Sequence, residues 1–148
     1  ELDNYQFELL IVGSGKLEGH LKSLVDKLNL NEKIKFLGSK DNIPHLLQQS
    51  DCLLLPSLWE AFPIVLLEAA ASKTPVISTA VGSIPSFIND NNGYLVKHSK
   101  FKEAMIEVMT NYEEAIIKSN KLYHEVSNNY QIKDIVNKYE NIYQKVLE

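Results

Sequence analysis

An α/β fold, a doubly wound parallel and Rossmann-like sheet with helices on both faces, is what this chain predicts, and three observations predict it. Short apolar runs alternate with stretches whose apolar residues fall at helical spacing. Glycine or proline stands at several of the changes from one to the other, as at Gly13, Gly38 and Pro56. With 148 residues, 45% of them hydrophobic and 23% charged, the chain can bury one core, and one domain is the default.

The elements follow in order. Residues 7–12 read as a strand, and Leu17, Leu21, Leu24, Val25 and Leu28 then mark one face of an amphipathic helix. Residues 34–37 form the next strand, 44–49 a short helical piece, and Leu53-Leu54-Leu55-Pro56 a buried strand that ends in a breaker. A helix over 63–71 starts on Pro63, because proline suits the first helical turn, where its missing N–H would have no partner anyway. Strands at 75–78 and 94–96 complete the alternation, and parallel strands of this kind are covered by helices on both sides. From Ser99 onward the chain is helical. Phe101, Met105, Val108 and Met109 mark one apolar face; Ile132, Ile135, Val136, Tyr139, Ile142, Tyr143 and Val146 mark another, with a break at Asn128-Asn129. These aromatics and methionines read as core, not as cofactor contacts.

Composition narrows the function. A net charge of −4 and no basic cluster argue against nucleic acid as a partner. All 15 basic residues are lysine, so the planar, bidentate fork that arginine offers a phosphate is missing. The single cysteine, Cys52, lies in an apolar strand, which fits packing and a reducing compartment better than nucleophilic chemistry. No signal peptide and no run of about 18 apolar residues appears, so the expected location is cytoplasmic. His20, His45, His98 and His124 share no ligand spacing and no Asp-x-Asp pair exists, so no metal is expected.

Glu60 and Glu68 are the residues that most need a reason. They frame the apolar run Glu60-Ala-Phe-Pro-Ile-Val-Leu-Leu-Glu68, and a carboxylate in such surroundings is costly without a partner. Glu60 falls in the loop at a helix mouth and Glu68 about a turn and a half further in. Free amides and the positive end of the helix dipole at that mouth favour an anion such as phosphate. A negative ligand would meet Glu60 only if it also offered hydroxyls for the carboxylate to accept. A sugar nucleotide has both. The plainer alternative makes Glu60 a helix N-terminal charge and Glu68 a solvated surface acid.

Other motifs fail on spacing. Gly13-Ser-Gly15 follows a strand and opens a helix, but Glu18 holds the third glycine position of a dinucleotide fingerprint; as a P-loop, the run has Leu10 and Leu17 where glycine and a hydroxyl belong. A tight strand-to-helix turn and direct ligand contact remain equal readings of Gly13 and Gly15.

The segment from Pro56 to Thr79, which contains both glutamates, resembles the signature of the GT-B retaining glycosyltransferases called group 1 or family 4. Further blocks in the family's order strengthen the resemblance: residues 9–15, 34–38, 51–56, Val81-Gly-Ser-Ile-Pro85 and Asn91-Asn-Gly-Tyr-Leu-Val96. It implies that this chain is the C-terminal, donor-binding half of such an enzyme, lacking that domain's first strand and helix, with its C-terminal helices over about 99–148. The missing block would carry an Arg/Lys pair that clamps the donor diphosphate, and the missing strand is the family's central one. Self-association or an adapted sheet is expected to cover the edge left behind. The N-terminal domain that binds the acceptor is the implied partner.

Roles follow by resemblance, residue by residue. Glu68 takes the ribose hydroxyls. Glu60 faces the donor sugar and stabilises the positive charge that develops at the anomeric carbon as the nucleotide leaves. Ala61, Phe62, Pro63, Ile64 and Val65 direct backbone amides at sugar and phosphate, except that Pro63 has none. Ser39, Lys40 and Asp41 lie near the base, with a solvated role equally open for Lys40, and His45 follows that turn. Gly82 and Ser83 sit in a loop facing the interdomain cleft, with a plain loop role equally open. Glycines usually stand where Ala61 and Pro63 are, which bears on donor preference and on activity.

The expectation is thus a fragment of a retaining hexosyltransferase. It would move a sugar from a nucleotide-diphosphate sugar, UDP for preference, to a saccharide or lipid-linked acceptor in bacterial cell-surface polysaccharide synthesis. No metal cofactor is implied, and the fragment alone is expected to be inactive. Any attachment to the inner face of the membrane would run through the absent domain. Two alternatives stand beside it: a non-catalytic nucleotide-sugar binding or regulatory domain of the same fold, and a generic doubly wound domain.

Overall fold

Residues 5–147 are described in the computed structural model, and they fall into two compact units that divide between Asn42 and Ile43. In the first, strand β1 (Leu9–Val12) pairs in parallel with β2 (Ile34–Gly38), Leu9 opposite Ile34 and Ile11 opposite Phe36. A parallel pair needs a crossover. Helix α1 (Glu18–Lys27) supplies it and ends where Asn29 turns left-handed at φ 54°. The first strand starts at Leu9, two residues later than the sequence predicts, because the ladder opens with the Leu9 amide on the Lys33 carbonyl at 2.7 Å.

The second unit carries α2 (Ile43–Gln48), β3 (Leu53–Leu55), α3 (Ile64–Ala71), β4 (Val76–Thr79), a 3-10 turn at Ile84–Ser86 and β5 (Tyr94–Val96). Helices α4 (Phe101–Thr110), α5 (Tyr112–Asn129) and α6 (Ile132–Leu147) follow. Its sheet runs β3-β4-β5, all parallel, with β4 central and buried along its whole length. Alternation along β4 sends neighbouring side chains to opposite faces. Val76 packs with Leu66, Ala69, Ala70 and Leu122 from α3 and α5, whereas Ile77 packs with Tyr94, Ala104, Val108 and Ala115. Helices thus cover both faces, as the alternating pattern predicts.

The structure departs from the sequence reading in four further places. Among the described residues the five strands lie in two sheets, β1-β2 and β3-β4-β5, and β1 and β3 are each paired on one side only. Pro63 is not in the first helical turn: it is the N-cap, extended at φ −77° and ψ 116°. A break at Asn111 separates α4 from α5, in addition to the break after Asn129. Last, the apolar stripe over 132–146, read as core, is not: α6 buries none of its described residues, Ile132 being 74% and Val146 79% exposed, while the amphipathic helix α1 buries Val25 alone.

Candidate functional site

The loop between β3 and α3 is built outward from the end of β4. Thr79, buried in the last position of β4, donates its hydroxyl to the Ser57 carbonyl at 2.5 Å, and Ser57 Oγ donates to Glu60 Oε1 at 2.8 Å. The partly buried Glu60 carboxylate is therefore aimed by a neighbouring strand through one serine. Behind it, Gly82 lies at φ 55°, and a Cβ there would stand 1.9 Å from the Glu60 carbonyl oxygen. Only glycine allows that approach. Ser83 then donates its backbone N–H to the Ala61 carbonyl at 3.2 Å, and its hydroxyl bonds the same oxygen. Gly82 and Ser83 brace the Glu60–Ala61 backbone, an arrangement the sequence does not reveal.

The remaining loop residues lead into α3. Phe62 lies among aromatic rings, with Phe87 edge-on at 5.4 Å and Tyr130 stacked at 6.5 Å. Pro63 is buried, and its carbonyl takes the Leu66 amide at 3.1 Å. No side chain caps α3 and its first turn holds no acid. The amides of Ile64 and Val65 thus begin a helix whose own first turn does not neutralise its positive end, a setting that favours an anion. Ile64 is 69% exposed there. Glu68 follows on the same helix, partly buried. Neither Ala61 nor Pro63 has a positive φ, so replacing glycine at these positions brings no backbone strain.

The other predicted residues gather in the first unit. Gly13, at φ 116°, donates its amide to the Gly38 carbonyl at 2.8 Å, and the Ser14 and Ser39 hydroxyls meet at 3.2 Å. The glycine loop and the turn after β2 thus face one another, with Lys40 and Asp41 exposed just beyond. A cavity of about 230 Å³ opens beside them, lined by Val12, Gly13, Gly15, Leu17, Leu21 and Phe36 among others. A Cβ on Gly13 or Gly15 would meet nothing within 4 Å. The candidate residues therefore form two sets, one per unit: Gly13, Gly15, Ser39, Lys40 and Asp41 in the first, and Glu60 to Val65, Glu68, Gly82 and Ser83 in the second.

Sequence reasoning missed Ser57, Thr79, Phe87 and Tyr130. Ser57 had a weak signal, a hydroxyl three residues before the acid, whereas the aromatic partners are far apart in the chain. Cys52 stays outside the site. Burial, opposed by a hydrogen bond at the Ile77 backbone and reinforced by Asp51, pushes its thiol up to about 12, so it is not a thiolate at neutral pH. Among the described residues, no three His, Cys, Asp or Glu side chains stand together where they would hold a metal ion. Nor is any helix among them long and apolar enough to cross a membrane.

Parallel strands, covering helices and loops at the strand ends make this the fold of the C-terminal domain of GT-B glycosyltransferases. HepE from Anabaena, whose crystal structure is in complex with UDP, superposes with a TM-score of 0.86 over 94% of this chain and 41% of its own, at 19% identity. The chain belongs to the family described as glycosyl transferases group 1, whose model matches residues 1–133. It is 35% identical over 144 residues to the N-acetyl-alpha-D-glucosaminyl L-malate synthase of Bacillus anthracis, covering 95% of this chain and 38% of that protein. It is 31% identical over 139 residues to the UDP-Gal:alpha-D-GlcNAc-diphosphoundecaprenol alpha-1,3-galactosyltransferase of Escherichia coli, covering 90% of this chain and 36% of that protein. The chain spans little more than a third of the length of these relatives.

Proposed function

We propose that this chain is the donor-binding part of a retaining glycosyltransferase of family 4, and that the whole protein transfers a hexose from a UDP-sugar. The observation that carries this reading is the placement of Glu60, aimed by Ser57 and braced by Gly82 and Ser83 at the mouth of a helix whose N-cap, Pro63, offers no side-chain hydrogen bond. Glu60 accepts from the donor sugar's hydroxyls and stabilises the positive charge that grows at the anomeric carbon as its bond to the diphosphate breaks. Glu68 accepts from the ribose hydroxyls. The amides of Ile64 and Val65 face the phosphates, and Ser39, Lys40 and Asp41 lie at the base.

UDP is favoured because one relative's name contains UDP-Gal and a structural neighbour was crystallised with UDP. Both relatives' names give an alpha linkage. That is the product retention yields from an alpha-linked nucleotide sugar. The acceptor class follows the same relatives less closely, since one name ends in L-malate and the other in a lipid diphosphate. A saccharide or lipid-linked acceptor in cell-surface polysaccharide synthesis, on the cytoplasmic side, is our reading. A non-catalytic nucleotide-sugar binding role is the second reading, fed by the methyl group of Ala61 beside the sugar; backbone strain does not favour it, since neither Ala61 nor Pro63 has a positive φ.

The test uses the full-length protein. Calorimetry with UDP, GDP and ADP should show UDP binding most tightly, and no binding of any of them would overturn the donor site. Glu60→Ala and Glu68→Ala should each lower turnover by about a hundredfold or more, the scale of losing an electrostatic partner of the transition state or a positioning contact. Unchanged turnover would remove the assigned roles.

A further inference from the structure

We infer that Tyr130 is a positioning residue for the Glu60 loop, acting through the ring of Phe62; this rests on the donor-site reading above. Three rings make the contact, each touching the other two. Phe87 stands edge-on to Phe62 at 5.4 Å and to Tyr130 at 5.4 Å, with interplanar angles of 77° and 89°, while Phe62 and Tyr130 stack at 6.5 Å and 16°. Edge-to-face and offset-stacked geometries are the ones aromatic pairs prefer. The rings are not equivalent. Phe87 is 4% exposed and belongs to the core that holds α3, so it acts as a fixed post. Phe62 and Tyr130 are 37% and 38% exposed, and Tyr130 closes the stack from outside.

Position in the chain gives this stack its consequence. Phe62 lies between two points already described, the Ala61 carbonyl held by Ser83 and the N-cap Pro63. The peptide is planar and trans, so its N–H points opposite to its carbonyl. With the Ala61 carbonyl turned to Ser83, the Phe62 amide is directed away from that brace. The ring then decides how firmly it stays there. Tyr130 is itself anchored as the C-cap of α5, its amide on the Val126 carbonyl at 3.0 Å. The turn between α5 and α6 therefore holds, by a ring stack, the backbone segment that also carries Glu60. A loop held in its binding geometry is competent in most molecules. Releasing Tyr130 lowers that fraction, and apparent donor affinity falls in proportion.

The full-length protein tests this with three variants, Tyr130→Ala, Tyr130→Leu and Tyr130→Phe. Amide exchange, measured without any donor, should quicken about tenfold at Leu66 and Ser83, whose amides bond the Pro63 and Ala61 carbonyls on either side of Phe62, in the alanine and leucine variants while β4 keeps its protection. Tyr130→Phe, which keeps the ring, should exchange like the parent. Kinetics should show the UDP-sugar KM raised about tenfold in the alanine and leucine variants with kcat lowered less than about threefold, and both restored in Tyr130→Phe. A purely structural loss would instead lower the amount of folded enzyme, reducing apparent kcat with KM unchanged. The leucine variant fills the volume and keeps the test decisive if the alanine variant does not fold. Parent-like exchange at Leu66 and Ser83 in both ring-less variants would overturn the proposal, as would a Tyr130→Phe variant as impaired as they are. Absence of UDP-sugar binding by the parent would sink the donor-site reading instead, and the exchange data would still decide whether Tyr130 holds the loop.

Discussion

Two strand-to-helix turns in this molecule look alike in outline and are built on opposite principles. The turn between β1 and α1 is open, and Gly13 answers a demand on backbone angle alone: it stands at φ 116°, with nothing within 4 Å of where its Cβ would be. Between β3 and α3 the turn is closed from behind by Gly82, whose missing Cβ would sit 1.9 Å from the Glu60 carbonyl oxygen. Glycine in the first is a hinge and in the second a gap. An open turn can adapt to a ligand, whereas a braced turn fixes a charged group in advance.

Substitutions that separate angle from space sharpen this contrast. Gly82→Ala should have the largest effect, because it adds strain of about 1–3 kcal/mol for the left-handed backbone and forces the Glu60 carbonyl aside. Turnover of the full-length enzyme should fall about a hundredfold, with a lower melting temperature; a variant as active as the parent would show that the brace does not matter. Ser83→Ala removes only the hydroxyl and keeps the backbone bond to Ala61, so a loss of about 1 kcal/mol in denaturant unfolding is expected. Gly13→Ala should cost a comparable 1–2 kcal/mol from angle alone, without displacing any neighbour. Gly15→Ala comes last, since its φ is not positive and space is open around it; stability should shift by less than about 0.5 kcal/mol. If Gly15→Ala nonetheless weakens UDP binding by calorimetry, direct contact becomes the better of the two readings left open for that glycine.

Much of this architecture is legible in the amino-acid order, and the limits are physical. Strand β5 falls at Tyr94–Val96 as predicted, and β2 differs by one residue, because short apolar runs between breakers have few other ways to bury themselves. Pro63 misled by one position, since a φ near −65° suits the first turn and the N-cap alike and only ψ separates them. The stripes on α1 and α6 are true amphipathic patterns, but periodicity says that a face is apolar and not whether anything covers it. At the candidate site, the glutamates stand out as acids in an apolar run. Their supports do not, because Ser57, Gly82 and Tyr130 acquire meaning only when separate stretches of chain meet.

The depressed acidity of Cys52 has a practical use. The chain holds no other cysteine, and a thiol pushed up to about 12 carries little thiolate near neutral pH, which slows its attack on maleimides. A cysteine placed at Leu58, which is 81% exposed and close to Glu60 in the chain, would then be the preferred site in this segment for a fluorophore. Occupancy of the helix mouth would be read as a change in its emission, without first removing the native thiol.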